Sequence, residues 1–150
     1  TVKVFDTSEL QLLITDLRDT LYDFKQRNGF GRGIAAPQIG IPLRVIFIHI
    51  DEPIALINPR IVKRSARVFS LWDDCFSFPN LLVKVKRNYS IEMSYQNETG
   101  EEMKLKASGA LAELLQHEID HINGVLAVDR AISSKHIIFR SELNKNEIRS

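Results

Sequence analysis

The sequence is poor in cysteine, in net charge and in long apolar runs, and each shortage excludes a class of protein. Cys75 is the single cysteine among 150 residues, so no disulfide can form within the chain, and a reducing compartment is indicated. The formal charge of +1 excludes strong long-range attraction to nucleic acid or to an anionic membrane. The most apolar stretch, residues 41–50, contains Arg44 and His49 and is far shorter than the roughly 20 residues of a membrane-spanning helix.

The remaining composition is typical of one globular domain. Hydrophobic residues make up 44% and charged residues 26% of the chain, which provides enough apolar surface for one sizeable core. We therefore expect a single domain over residues 1–150. The lone thiol favours the cytoplasm, or an organelle if a transit segment has been removed ahead of Thr1.

An amphipathic helix is predicted near the start of the chain, over residues 8–28. Its apolar residues recur at helical spacing. Ser8 and Gln11 form a predicted capping box at its beginning, and Gly29 provides a stop at its end.

Two further helices are predicted in the second half of the chain. Ser108 is positioned to cap a helix that ends at Gly124. Another helix is expected from Ser133 toward Glu147.

Strands fill the region between the first two helices. Short segments rich in β-branched or aromatic residues predict strands at 44–49, 54–57, 67–71, 81–86, 91–95 and 102–107. Strands grouped between helices, rather than alternating with them, indicate an α+β fold with a mainly antiparallel sheet.

The strongest chemical signal is the motif His117-Glu118-Ile119-Asp120-His121. In a helix, residues four apart lie on one face, so His117 and His121 can bind one metal ion. Glu118 then lies beside that ion, where its carboxylate can take a proton from water. Polar side chains on an otherwise apolar helix also need partners, and a metal ion supplies one.

A hydrolytic metal usually has three protein ligands, and the residues leave the third one open. The longer pattern of the metzincin peptidases fails because Ala127 stands where their third histidine would be. A glutamate from a following helix, Glu142 or Glu147, is one candidate. Cys75 is another, because a thiolate binds iron, zinc, cobalt or nickel well.

Three segments together resemble one family, the peptide deformylases. These segments are Gly31-Arg32-Gly33-Ile34-Ala35-Ala36-Pro37-Gln38, Asp73-Asp74-Cys75-Phe76-Ser77 and the histidine motif. They are similar to the GxGxAAxQ, EGCLS and HExxH signatures of that family and occur in the same order. The resemblance implies a deformylase-like α+β fold with mainly antiparallel strands around a central HExxH helix.

The resemblance also implies roles for particular residues. It implies a set of three metal ligands, Cys75, His117 and His121. Glu118 is implied as the general acid and base. The side-chain amide of Gln38 and the backbone N–H of Phe76 are implied as donors to the oxyanion. One divalent ion is expected as cofactor, Fe(II) first, with Zn, Ni or Co as alternatives.

The substrate region of the chain departs from the family. Gly31 and Gly33 suit a loop that pairs with an extended peptide, but Arg32 stands between them, and Glu113 lies one turn before the first histidine. The family usually has apolar residues at the positions of Arg32 and Glu113. Three arrangements are open: the two charges pair and close the pocket, they bind a polar group of another substrate, or both point to solvent.

The second segment also departs from the family. Asp73 replaces a glutamate, with Arg87 as its predicted partner, and the shorter side chain is expected to loosen that contact. Asp74 replaces a glycine. Asp120 lies on the far side of the helix from the histidines, which predicts a supporting role.

The resemblance implies metal-dependent removal of the formyl group from N-terminal formyl-methionine of peptides, with release of formate. The alternatives are a deformylase-like hydrolase with another N-formyl or N-acyl substrate, a binding protein without turnover and, last, a zinc endopeptidase. The expected partner is an N-formylated peptide or nascent chain. Direct contact with nucleic acid or a membrane is not expected.

Overall fold

The computed structural model describes residues 1–73, 81–125, 130, 137–139 and 148–149. The helices are α1 (Ser8–Asn28) and α2 (Ala110–Ile122), and residues Ala36–Ile39 form a short 3-10 turn. The strands are β1 (Gly33–Ala35), β2 (Val45–His49), β3 (Pro53–Arg64), β4 (Val68–Asp73), β5 (Leu81–Asn88), β6 (Ser90–Gln96), β7 (Glu102–Ser108), β8 (Ile137–Phe139) and β9 (Ile148–Arg149).

The strands form two sheets. One has the order β1-β2-β3-β6-β7, and the other has the order β8-β5-β4-β9. Neighbouring strands are antiparallel, apart from the parallel pair β4 and β9. The prediction of an α+β fold with mainly antiparallel strands is therefore confirmed.

The strand β2 shows how the two helices are placed. Its side chains alternate between two faces: Val45 and Phe47 belong to the core cluster that contains α1, whereas Ile46 and Ile48 belong to the cluster that contains α2. Both faces of the first sheet are therefore covered. This explains why residues 45–48 of β2 form an unbroken apolar run.

The helix α2 occupies the centre of the fold. It contacts strands of the first sheet and β5 of the second sheet, and every residue from Ala112 to His121 is buried. The polar residues of its motif are thus enclosed by protein. Among the residues described, neither helix combines the length and apolarity that crossing a bilayer requires.

Three local predictions were wrong. The cap of α1 is Thr7, whose Oγ1 accepts a hydrogen bond of 3.2 Å from the N–H of Leu10, so Ser8 is already helical. Ser108 ends β7, and Gly109 precedes α2 without a side-chain cap. Residues 137–139, expected in a third helix, form β8 because their backbone pairs with β5; the rest of 133–147 lies outside the described residues.

A bulge in β3 fixes the beginning of the chain. Asn58 has a φ of +50°, and the pairing of β3 with β6 shifts register between Ile57 and Arg60. The side chain of Asn58 accepts a hydrogen bond from the N–H of Val2. It donates to the carbonyl of Val2 and to Oε1 of Gln96, and each of the three distances is 2.8 Å. One asparagine therefore ties the N-terminal segment to the sheet.

We expect Asn58→Ala to lower the free energy of unfolding by about 2–4 kcal/mol, because it removes three hydrogen bonds of about 1 kcal/mol each and places alanine, which tolerates positive φ less well than asparagine, at this position. Asn58→Gly loses the same bonds without that backbone strain, so it should be less destabilised than Asn58→Ala. Urea unfolding of both variants measures this. An alanine variant as stable as the glycine variant would contradict the strain argument.

Candidate functional site

The two histidines of α2 face each other across one helical turn. Nε2 of His121 lies 2.9 Å from Nε2 of His117, and the rings meet edge to face with centroids 4.6 Å apart. Donor atoms of His117, Glu118 and His121 all lie within 4.8 Å of one another, and all three residues are buried. The predicted spacing therefore brings these three side chains together.

Asp73, the last residue of β4, sets the orientation of His117. Its Oδ2 lies 2.8 Å from Nδ1 of His117. A carboxylate at this distance holds the proton on Nδ1, so the lone pair of Nε2 is directed toward His121. Carboxylates commonly orient metal-binding histidines in this way.

Arg87 joins Asp73 to the far side of α2. It donates from Nη2 to Asp73 at 2.9 Å and from Nη1 to Asp120 at 2.6 Å. Arg130 also donates to Asp120, at 2.5 and 2.9 Å. The predicted partnership of Asp73 with Arg87 is confirmed, and the shorter aspartate side chain reaches Arg87 at hydrogen-bond distance. Burial opposes the charge of Arg87, but the two carboxylates outweigh burial and raise its pKa.

The amide of Gln38 is oriented by the backbone. The N–H of Ala35 donates to Oε1 of Gln38 at 2.8 Å, which identifies that atom as the oxygen and directs the amide nitrogen to the other side. Nε2 of Gln38 lies 3.5 Å from Nε2 of His121. The 3-10 turn thus presents an N–H donor to the histidine pair.

The titrating groups of the cluster are shifted by burial. Burial, with the carboxylates of Asp73 and Glu113, raises the pKa of Glu118 well above its usual value. Burial, with the neighbouring His117, lowers the pKa of His121 to about 3. His121 is therefore a neutral imidazole near pH 7, which is the form that binds metals.

These residues fit a divalent metal ion. Two imidazole nitrogens face each other, and Glu118 Oε2 is buried without a hydrogen-bond partner among the described residues. Cys75, the third predicted ligand, and Phe76, the predicted backbone donor, lie outside the described residues, as does Asp74. Their segment begins directly after Asp73, which contacts His117.

Arg32 and Glu113 form an ion pair beside the histidines. Nη2 of Arg32 lies 2.6 Å from Oε2 of Glu113. The side chain of Glu113 is 1% exposed and that of Arg32 is 20% exposed, so the pairing of the two charges is confirmed, and the arrangement with both charges in solvent is wrong. Closure of the pocket by this pair stays a prediction. Burial and the neighbouring Asp73 raise the pKa of Glu113 to about 8.

Gly33 brings the backbone of β1 onto α2. A Cβ at Gly33 would lie 3.2 Å from Cγ of Glu118 and 3.1 Å from Cδ1 of Leu114, which leaves no ordinary room for a side chain. Gly31, with a φ of +132°, lies against Phe24. The loop that contains Gly31 and Gly33 can therefore pack closely on both helices, because these two residues have no side chains.

Sequence reasoning missed some neighbours of the site. Asp73, Glu113 and His117 place donor atoms within 4.8 Å of one another, and Arg130 is a second partner of Asp120. The place of Glu113 on the helix face of His117 follows from their spacing of four residues. The contact of Asp73 with His117 spans 44 residues, and no spacing pattern reveals it.

We expect Asp73→Asn to weaken Zn(II) or Ni(II) affinity about 10- to 100-fold, because an amide lacks the negative charge with which the carboxylate of Asp73 orients His117. Competition with a chromophoric chelator measures the change. Asp19→Asn, which alters an exposed carboxylate on α1, serves as the matched control. Unchanged affinity in Asp73→Asn would show that Asp73 does not position the histidine.

Comparison with known proteins gives one consistent match. The family model described as polypeptide deformylase matches residues 1–136. The chain is 39% identical over 144 residues to a peptide deformylase of Microchaete diplosiphon, covering 92% of this chain and 73% of that protein. It is 42% identical over 135 residues to a peptide deformylase of Natranaerobius thermophilus, covering 89% of this chain and 81% of that protein.

A solved structure agrees with the sequence relatives. The peptide deformylase of Synechococcus elongatus in complex with actinonin superposes with a TM-score of 0.83 at 35% identity, covering 90% of this chain and 73% of that chain.

Proposed function

The chain belongs to the polypeptide deformylase family, and we propose that the residues around the histidine pair carry out the family's reaction. The chain is a metal-dependent hydrolase that removes the N-formyl group from peptides. The observation that supports our residue assignments best is the convergence of His117, His121 and Glu118 with the amide of Gln38. We assign the whole of residues 1–150 to one metallohydrolase domain.

Cys75, His117 and His121 hold the metal in this proposal. One thiolate and two imidazoles suit Fe(II), and also Zn, Ni and Co, and we take Fe(II) as the native ion. A divalent ion bound there supplies Lewis acidity to a water molecule and to the formyl carbonyl. Support for Cys75 comes from Asp73, which lies two positions earlier and contacts His117.

Glu118 moves the proton. It accepts one from the attacking water and returns it to the leaving nitrogen, so that the formyl C–N bond breaks, a C–O bond forms, and formate and a free amine result. Burial supports this role, because the raised pKa of Glu118 makes its carboxylate a stronger base than one in water.

Gln38 stabilises the oxyanion. Its Nε2 is already directed at the histidine pair by the bond from Ala35, so it needs no reorientation during the reaction. The backbone N–H of Phe76 is the second donor in this proposal.

The edge of β1 binds the peptide. Within the part of the chain that the structure describes, β1 pairs with β2 alone. The carbonyl of Arg32 accepts from His49 of β2, so by antiparallel alternation the N–H and C=O of Gly33 face the other way. An extended peptide that pairs there lies near Glu118, whose Cγ is 3.2 Å from the position that a Cβ of Gly33 would take.

We propose nascent N-formylated chains in the cytoplasm as the physiological substrate. The lone cysteine supports the cytoplasmic part of this proposal, because thiols are kept reduced in that compartment.

We expect Glu118→Gln to reduce formate release from a formyl-methionyl tripeptide by at least about 10²-fold, because proton transfer in both directions is lost. The assay uses anaerobically prepared protein loaded with Fe(II) or Ni(II), with metal content measured in parallel. A metal-loaded Glu118→Gln variant with unchanged kcat would remove Glu118 from the mechanism.

We expect Cys75→Ala to lose stoichiometric metal binding, because two histidines alone hold a divalent ion weakly. His49→Ala, whose imidazole contacts Tyr22 and lies outside the predicted ligand set, should keep one metal per chain. Retention of one metal in Cys75→Ala would instead favour Glu142 or Glu147 as the third ligand. Elemental analysis after gel filtration distinguishes the two results.

A further inference from the structure

We propose that a cavity beside α2, on a different face from the histidine pair, binds a small oxyanion that carries at least two negative charges. The cavity has a volume of about 270 Å³, whereas one water molecule occupies about 30 Å³ in the liquid. It is therefore large enough for a small ligand. The inference goes beyond the function proposed above and does not depend on it, because the cavity is separate from the histidine cluster.

The cavity lies between α2 and the last residues of β3 and β5. Its helix residues are Gln116, Ile119, Asp120 and Asn123, and their spacing of three and four residues places them on one face of α2. Successive residues of a helix are about 100° apart around its axis, so the histidine pair lies on another face. Within the described part of the chain, the lining of the cavity includes neither histidine of the pair nor Glu118.

Basic side chains dominate the charge of the cavity. Arg64, Lys86, Arg87 and Arg130 line it, and Asp120 is the single acidic residue among the described lining residues. Asp120 is already engaged, because it accepts hydrogen bonds from Arg87 at 2.6 Å and from Arg130 at 2.5 and 2.9 Å. Its negative charge is therefore used by these two arginines and is not available to Arg64 and Lys86.

Arg64 and Lys86 carry charges that the described part of the protein leaves without a counter-ion. No carboxylate of the described residues forms an ion pair with either side chain. Like charges that line one cavity repel each other, and an anion bound there offsets that repulsion. An anion with two or more charges can interact with both cations at once, which favours it over chloride or another monovalent ion.

The amide side chains of the lining add a neutral donor. Oδ1 of Asn123 accepts from Nη1 of Arg44 at 2.9 Å, which identifies the other terminal atom of Asn123 as its NH2 group. Gln116 is satisfied within the protein, because its Oε1 accepts from the N–H of Asn88 and its Nε2 donates to the carbonyls of Asn88 and Ala112. The cavity thus offers a ligand two cations and an amide donor, and these groups suit the oxygen atoms of phosphate or of a polycarboxylate.

Isothermal titration calorimetry with inorganic phosphate tests the site. The Ni(II)-loaded chain is titrated in chloride buffer at constant ionic strength, and we expect one phosphate per chain. The double variant Arg64→Gln, Lys86→Gln should bind phosphate at least about tenfold more weakly, because charge-assisted hydrogen bonds are lost. Both side chains are exposed, so we expect this variant to fold, which circular dichroism checks. If it does not fold, the two single substitutions replace it, each with a weaker Kd expected.

The matched control is the double variant Lys63→Gln, Lys84→Gln. It removes the same amount of charge from the same two strands, at positions outside the lining of this cavity. We expect it to keep the wild-type Kd. Equal weakening in both double variants would show that phosphate responds to the net charge of the chain, and would overturn the proposal.

A second titration with citrate distinguishes the two sources of such an anion. Tighter binding of phosphate would identify a phosphate group, and tighter binding of citrate would identify a polycarboxylate; either result supports the site if the Arg64, Lys86 variant weakens it. No saturable binding of either anion at millimolar concentration would overturn the proposal. So would equal affinities in wild type and in that variant, because the anion would then bind at the metal or elsewhere. No formate release is measured, so a failed deformylase assay would leave this test unaffected.

Discussion

The bridge that Arg87 makes between Asp73 and Asp120 is the interaction on which the rest of the site depends. It connects the end of β4, the strand β5 and the far face of α2 through contacts of 2.9 and 2.6 Å. A buried guanidinium is stable only with carboxylate partners, and each carboxylate is stable only with the cation. Because Asp73 also contacts His117, the same bridge that joins the second sheet to the helix orients a proposed metal ligand.

Burial of α2 between two sheets gives its polar face unusual properties. In that environment, Glu118 has a raised pKa and His121 a lowered one, so a carboxyl group that holds its proton more strongly than in water lies beside a neutral imidazole. The same groups in water would have ordinary pKa values. Exclusion of solvent, with the negative charge of Asp73 and Glu113, thus suits this face of α2 to the proton transfer and metal binding proposed above.

Predictions from the periodicity of apolar residues were confirmed, whereas both predicted helix caps and several predictions that depend on tertiary context were wrong. The first helix and six of the strand segments follow from short-range patterns of apolar residues. The end of β7 at Ser108 and the strand at 137–139 do not, because pairing with β6 and β5 decides them. β1 also escaped prediction, since three residues after a glycine loop carry too little pattern.

The sequence by itself determined the pairing of His117 with His121, because helical geometry places residues four apart on one face whatever surrounds them. It also determined that Glu118 accompanies them, and the order of the three family segments. Only the tertiary structure decided that Asp73 orients His117 from 44 residues away and that Arg32 pairs with Glu113 across 81 residues. Such contacts arise from the packing of sheet edges on a buried helix, and the spacing of residues along a chain carries no measure of that packing.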